Sequence, residues 1–330
     1  MTFSVLCLLA SPALSLEPEA DAVFVRVVDC GPALCCVVKL PGNHYMIYDA
    51  GHWQNPGKTA AINAIRELIP HQSTVDLLVL SHSDSDHLGA VPTICAEYKV
   101  KRVLRTGYKR PSIATWVNAD TAIANEVTTD GCEDVSLATN AFPRDGTFRI
   151  GDAFVQFVAG WQQPLAEWGF NASDSEHRNA VSIVVKLTYK GRSVLFGGDT
   201  VGREIGGPID QCVAAEKNML EWNEAIPLKA DVLIAPHHGA DNGSSSRFIH
   251  AVSPKYVIFS AGHNFGHPRK ATANRYLANG VLLERMFRTD LGDDESSQPE
   301  EWKHGTLGNG HSDPVGDDDV DILIRKTEEL

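Results

Sequence analysis

Residues 75–89 read Val75-Asp76-Leu77-Leu78-Val79-Leu80-Ser81-His82-Ser83-Asp84-Ser85-Asp86-His87-Leu88-Gly89. The run from Val75 to Leu80 predicts a buried strand that stops at Ser81, and helical spacing is expected over 88–97. His82, Asp84, Asp86 and His87 therefore crowd a strand-to-helix corner, which can turn all four side chains to one point. Carboxylates a few Å apart repel each other, and a bound cation turns that repulsion into affinity. The plainer alternative is a polar surface loop, because Ser and Asp are ordinary loop residues.

Three further strand ends carry the same kind of side chain. Ile47-Tyr48-Asp49-Ala50-Gly51 ends one, and Leu195-Phe196-Gly197-Gly198-Asp199-Thr200 a second. Val232 to Ala235 runs into Pro236-His237-His238-Gly239. One strand-ending Asp is usually a turn or cap residue, but four such ends in one chain point to a metal site.

On either side of that corner, strands are expected at 22–30, 34–40, 45–48, 75–80, 101–105, 154–158, 181–189, 193–197, 232–235, 256–260 and 320–326. Helices are expected at 58–69, 88–97, 212–224, 245–252 and 270–278, and residues 106–150 read as irregular. The mixture predicts an α/β (α+β) chain.

These residues resemble the metallo-β-lactamase superfamily, whose motif HxHxDH corresponds to His82-Ser83-Asp84-Ser85-Asp86-His87. Asp84 stands where most members carry His, and HxDxDH resembles the soluble nuclease-like domain of ComEC-type competence proteins. APHHGADNGSS, PKYVIFSAGHNFGHP and Arg288-Thr289-Asp290 resemble that branch as well. The resemblance covers roughly residues 22–290 and resumes at 320. It implies an αββα sandwich, mixed sheets with helices outside, and metals at one edge.

The resemblance also implies roles. It places one divalent ion on His82 and Asp84, a second on Asp86 and His87, Asp199 between them, and His238 as a further ligand. His237 is the fallback for His238. Asp49 is expected to orient a ligand or take up a proton, and Asp86 is expected to be catalytic as well as ligating. His267, in Gly266-His267-Pro268, is expected to contact substrate or protonate the leaving group. The His that other members carry before the central strand is either His177 or replaced by Asn179. The ions are expected to be zinc or manganese, with magnesium also suited, because Asp84 is a harder donor than imidazole.

The chain has 330 residues and a net charge of -13. Residues 290–321 hold eleven Asp or Glu against one Lys, so the remainder is only slightly acidic and nucleic acid is not excluded as a partner. The segment 290–319 reads as an acidic loop insertion. Lys99, Lys101, Arg102, Arg105, Lys109 and Arg110 run the other way, as a solvated face or a phosphate-binding patch in which Arg105, Lys109 and Arg110 hold the chain. No run of eighteen apolar residues exists, so no integral membrane segment is expected in the mature chain, and no obligate protein partner is evident.

Residues 1–15, MTFSVLCLLASPALS, read as a signal peptide or a buried first strand, and 16–330 as one hydrolase domain. A signal implies a secreted or periplasmic protein, and its absence a cytoplasmic one. Six Cys follow it, an even number that suits disulfides or reduced buried thiols.

The expected activity is a metal-dependent hydrolase that uses a metal-bound hydroxide on a small-molecule or nucleic-acid phosphodiester. Hydrolysis of a small ester, lactone or β-lactam is the alternative, and a non-catalytic metal-binding module the second alternative.

Overall fold

The computed structural model describes residues 18–139, 146–169, 174–262, 265–289 and 318–325, together with the backbone of 5–9. Nine strands lie in the first half: β1 (Val5–Leu9), β2 (Val23–Val27), β3 (Cys35–Leu40), β4 (His44–Ala50), β5 (Thr74–Val75), β6 (Leu77–Leu80), β7 (Lys99–Val100), β8 (Arg102–Arg105) and β9 (Glu133–Ser136). The second half supplies β10 (Thr147–Ile150), β11 (Ala153–Ala159), β12 (Val184–Tyr189), β13 (Arg192–Phe196), β14 (Val232–Ile234), β15 (Tyr256–Phe259), β16 (Met286–Arg288) and β17 (Val320–Ile324). Helices are α1 (Gly57–Leu68), α2 (Val91–Glu97), α3 (Ala114–Asp130), α4 (Asp174–Ala180), α5 (Ala214–Glu221), α6 (Ser246–Val252) and α7 (Lys270–Ala278).

The strands form an eight-stranded sheet of order β1-β17-β2-β3-β4-β6-β8-β9 and a seven-stranded sheet running from β10 to β16 in sequence order. A short β5-β7 ladder flanks the first. Each large sheet is antiparallel on one side and parallel on the other. β4, β6, β8 and β9 pair in parallel, as do β13, β14, β15 and β16.

Side chains alternate along each strand, and here both faces are apolar. Tyr48 and Val79 point between the sheets, where Phe157, Val185 and Phe196 meet them. Ile47 and Leu78 point outward onto Ala61, Ile65 and Ile94 of α1 and α2. Leu195 and Leu233 face outward onto Met219, Phe248 and Tyr276 of α5, α6 and α7. The result is the expected αββα sandwich.

Residues 106–150 are less irregular than expected, because α3 occupies seventeen of them. Its sequence, ATWVNADTAIANEVTTD, is rich in Thr, Val and Asn, which lowers intrinsic helix propensity. Ala119 and Ile123 seat it on α2 and the sheet, so packing overrides propensity. Val5–Leu9 lies as the edge strand beside β17, with Val5 opposite Ile324. The acidic segment 290–317 and the cleavage point near Ser15 lie outside the described residues. No described helix is long and apolar enough to cross a membrane.

Cys30, Cys35, Cys36, Cys95, Cys132 and Cys212 are all free thiols in the structure, the second of the two arrangements that their even number suits. Cys35 and Cys36 point to opposite faces of β3 and cannot meet each other. Burial raises the thiols of Cys30, Cys35 and Cys36 well above the ordinary value, and those of Cys95 and Cys212 to about 12. We therefore expect these five to resist iodoacetamide at pH 8 in the native protein and to react after denaturation. Rapid native labelling of Cys30, Cys35 or Cys36 by mass spectrometry would contradict this.

Candidate metal centre

The site lies just beyond the C-terminal ends of the parallel strands, where open α/β sheets leave a crevice. Asp49 ends β4, Ser81 and His82 follow β6, Asp199 follows β13, His237 and His238 follow β14, and Ser260 follows β15. Asp49, His237 and His238 adopt left-handed backbone conformations that non-glycine residues seldom hold, with φ of 57°, 50° and 54°. Such strain concentrates at functional sites. Gly198, at φ +52°, has room for nothing larger: a Cβ there would sit 2.9 Å from the Tyr48 hydroxyl and 2.9 Å from the Ser81 Cβ.

Ligand atoms of Asp86, His87, Asp199 and His238 all lie within 4.8 Å of one another. Asp199 Oδ2 is 3.4 Å from His87 Nε2 and 3.5 Å from His238 Nε2, and Asp86 Oδ2 is 3.9 Å from each of those nitrogens. His82 Nε2 lies 3.9 Å from Asp199 Oδ2. Asp199 is only 2% exposed and His87 fully buried.

Each imidazole is fixed through its other nitrogen. Asp49 accepts from the Ser81 backbone N–H at 2.7 Å, from the Ser81 hydroxyl at 2.7 Å and from His87 Nδ1 at 2.8 Å. Because the Ser81 hydroxyl donates to Asp49, His82 Nδ1 donates to the Ser81 oxygen at 3.0 Å. His238 Nδ1 donates to the Ser260 carbonyl at 2.7 Å. These bonds select the tautomer whose Nε2 lone pair faces the cluster.

The Nε2 atoms of His82, His87 and His238 and the Oδ1 of Asp199 are buried with no hydrogen-bond partner. Orphaned atoms of this kind are costly unless something binds them. Two carboxylates and several neutral imidazole nitrogens suit a divalent ion.

Protons compete for the same atoms. Burial disfavours a charged His87, but Asp199, Asp49 and Asp86 outweigh it and hold its pKa well above the ordinary 6.5. Burial likewise opposes a charge on His238, and Asp199 more than offsets it. The same contacts work in reverse on Asp199: burial raises its pKa, and His238, His87 and His237 drive it well below the usual carboxylate range. A metal must displace the protons of His87 and His238, so its affinity should rise with pH until those raised pKa values are passed. Chelator competition at pH 6, 7 and 8 measures this, and a flat affinity would contradict the assignment.

The other expected residues fall as follows. Asp84 is not in the cluster. Its Oδ1 accepts from Arg178 Nε and, at 2.8 Å, from Arg110 Nη1, and its Oδ2 accepts from Arg178 Nη2 at 3.3 Å. His237 lies beside the cluster, its Nε2 3.8 Å from Asp199 Oδ2, while its Nδ1 donates to Asn242 Oδ1 at 2.7 Å and its Nε2 accepts from Asn179 Nδ2 at 3.0 Å. Asn179 thus stands beside the site, while His177 lines a pocket with Tyr108, Lys109 and Gln162, residues that also line the cavity reaching His82.

His267 packs beside the pair, its ring centroid 5.7 Å from that of His237 and 6.3 Å from that of His238. Burial, with His237 and His238 nearby, holds its pKa well below 6.5. It is therefore neutral at pH 7 and suited to donating a hydrogen bond rather than delivering a proton as an imidazolium.

The basic run is not a free phosphate patch. Arg105 is fixed by Asp134 at 2.9 and 2.6 Å and by Asp120 at 2.5 Å, and Arg110 by Asp84. Lys109 is exposed and lines a cavity of about 510 Å³ that reaches His82 and Ser83 at the cluster and Tyr108 and Trp116 opposite.

Sequence reasoning missed the supports of the His-Gly loop. Arg275 donates to the carbonyls of Asp241, Gly243 and Ser244, and Arg203 to that of Asp241. Buried Glu216 accepts from the backbone N–H groups of Ser244 and Ser245. Isolated Arg and Glu carry no sequence signal for such roles.

Several known proteins resemble the chain. It is 26% identical to competence protein ComA of Neisseria gonorrhoeae over 86% of its own length and 34% of ComA. It is 24% identical to ComE operon protein 3 of Bacillus subtilis (strain 168), over 84% of this chain and 33% of that protein. The chain thus spans about a third of these curated relatives. The metallo-beta-lactamase fold protein YhfI from Bacillus subtilis aligns at 12% identity and TM-score 0.47, over 81% of this chain and 95% of YhfI. The family model of the Metallo-beta-lactamase superfamily matches residues 28–263, from the end of β2 to beyond β15, and the chain belongs to that superfamily.

Proposed function

We propose that this protein is a metal-dependent hydrolase of phosphodiesters. The observation that carries the reading is the cluster of half-buried Asp86 with buried His87, Asp199 and His238, the last three with ligand atoms that have no hydrogen-bond partner. A divalent ion held there would supply a Lewis acid for a phosphoryl oxygen and acidify a water. The cation is zinc or manganese by donor type, with magnesium suited less by the imidazoles.

The chain's own residues do the rest. Asp49 holds His87 and Ser81 in place, and Ser260 holds His238. His267, neutral and beside His237 and His238, offers an N–H to a substrate or leaving-group oxygen. The cavity takes the substrate's flanking group, with Lys109 toward a negatively charged chain and Trp116 toward a flat apolar face. The resemblance of His82-Ser83-Asp84-Ser85-Asp86-His87 to the nuclease-like domain of ComEC-type competence proteins supports phosphodiesters over acyl substrates.

A small ester, lactone or β-lactam is the second reading, favoured by the apolar cavity wall of Leu80, Leu88, Ala119 and Ile123. A panel of bis(p-nitrophenyl) phosphate, single- and double-stranded DNA, a p-nitrophenyl ester, a lactone and a β-lactam on metal-loaded protein separates them. Phosphodiester turnover is expected. Ester or lactone cleavage without it would establish the second reading. With Arg105 and Arg110 held by carboxylates, Lys109 is left as the member of that trio for backbone phosphate.

The apolar, small-residue-ended start of the chain supports action in the secreted or periplasmic space, and the pairing of Val5–Leu9 with β17 supports the alternative of a retained first strand in a cytoplasmic protein. Intact mass of the exported protein tests it: a retained Met1 would count against export by cleavage near Ser15.

A further inference from the structure

The resemblance to HxHxDH proteins implies two ions, but the residues present fit only one. On one side stand Asp86, His87, Asp199 and His238, which supply two carboxylates and two imidazoles. On the other side, only His82 offers a free ring nitrogen. Asp84 has both carboxylate oxygens bound by guanidinium N–H groups. Asn179 directs its amide N–H to His237 Nε2, so that lone pair is taken as well. What remains there is His82 Nε2, a neutral amide oxygen from Asn179, and Asp199 Oδ1, whose carboxylate already serves the first set. Three or four ligands with charge to match are the norm for a tightly held divalent ion, and this half has no carboxylate of its own.

Charge points the same way. Two guanidinium groups on one carboxylate leave the Arg110-Asp84-Arg178 triad with a net positive charge beside the cluster. The three side chains are 18%, 17% and 12% exposed, so water screens them little. A second cation there would meet repulsion instead of the Asp84 carboxylate.

We propose that this chain binds a single divalent ion, at Asp86, His87, Asp199 and His238, and that Arg110 and Arg178, clamped on Asp84, stand in for the positive charge of a second. The proposal rests on the metal-site reading, and the test distinguishes the two. The protein is stripped with chelator, dialysed against micromolar Mn²⁺ or Zn²⁺, and examined by native mass spectrometry and elemental analysis. Wild type should hold about one ion per chain. The Arg110→Met/Arg178→Met variant, checked for folding by circular dichroism, should free Asp84 and hold about two. Asp84→Asn should keep the single ion. Two tightly bound ions in wild type would overturn the proposal, as would a single ion in the folded double variant or loss of the ion in Asp84→Asn. No bound ion in wild type would overturn the metal-site reading itself.

Discussion

Asp199→Ala should lose the bound metal and reduce phosphodiester turnover by about a thousandfold or more. Asp199 is the carboxylate that lies nearest to both His87 and His238, at 3.4 and 3.5 Å, and it is the most buried acid of the cluster. Removing it leaves Asp86 as the remaining anionic ligand. Lewis-acid stabilisation is worth several kcal/mol, and each 1.4 kcal/mol or so is tenfold in rate. The fold should survive, because in the metal-free state the change also removes a buried charge. Metal content and turnover, measured beside a circular dichroism spectrum, decide it. Full metal occupancy in the variant would remove Asp199 from the site.

The second large effect is expected from a residue that touches no metal. Asp49 accepts three hydrogen bonds, from the Ser81 N–H, the Ser81 hydroxyl and His87 Nδ1. Asp49→Ala leaves those donors buried and unsatisfied, at about 1–3 kcal/mol each. It also frees the His87 ring to rotate or change tautomer, and loss of such an orienting carboxylate typically costs about 10–100-fold in metal affinity. We expect both a melting temperature lower by several degrees and weaker metal binding in chelator competition. Normal affinity would mean that packing alone orients His87.

Much of this was legible in the sequence because the site is built from local pieces. The positions of Asp49, His82, Asp86, His87, Asp199 and His238 around one site could be read from apolar runs and the polar residues just past their ends, since a strand's end fixes where its next side chains go. The helix Ala114–Asp130 was not legible: its Thr and Val residues weaken the propensity signal, and its apolar face is set by partners distant in sequence. The fate of Asp84 was not legible either. Arg178 is 94 residues away and Arg110 is 26, and nothing in the HxDxDH spacing tells that guanidinium groups reach the carboxylate. Arg105 and Arg110 misled for the same reason, because a run of cations in sequence does not reveal which acids the fold brings to them. The two adjacent His could be ordered only by a motif frame. The structure separates them physically, with His238 Nε2 in the cluster and His237 Nε2 taken by Asn179.

Every functional step assigned to this chain requires Asp86, His87, Asp199 and His238 to hold the divalent ion. Crystals soaked in Mn²⁺ or Zn²⁺, with diffraction recorded above and below that metal's absorption edge, show where the ion sits. An anomalous peak among those four side chains, with none at Asp84, is the predicted result. A peak on Asp84, or no peak near Asp199, would contradict it.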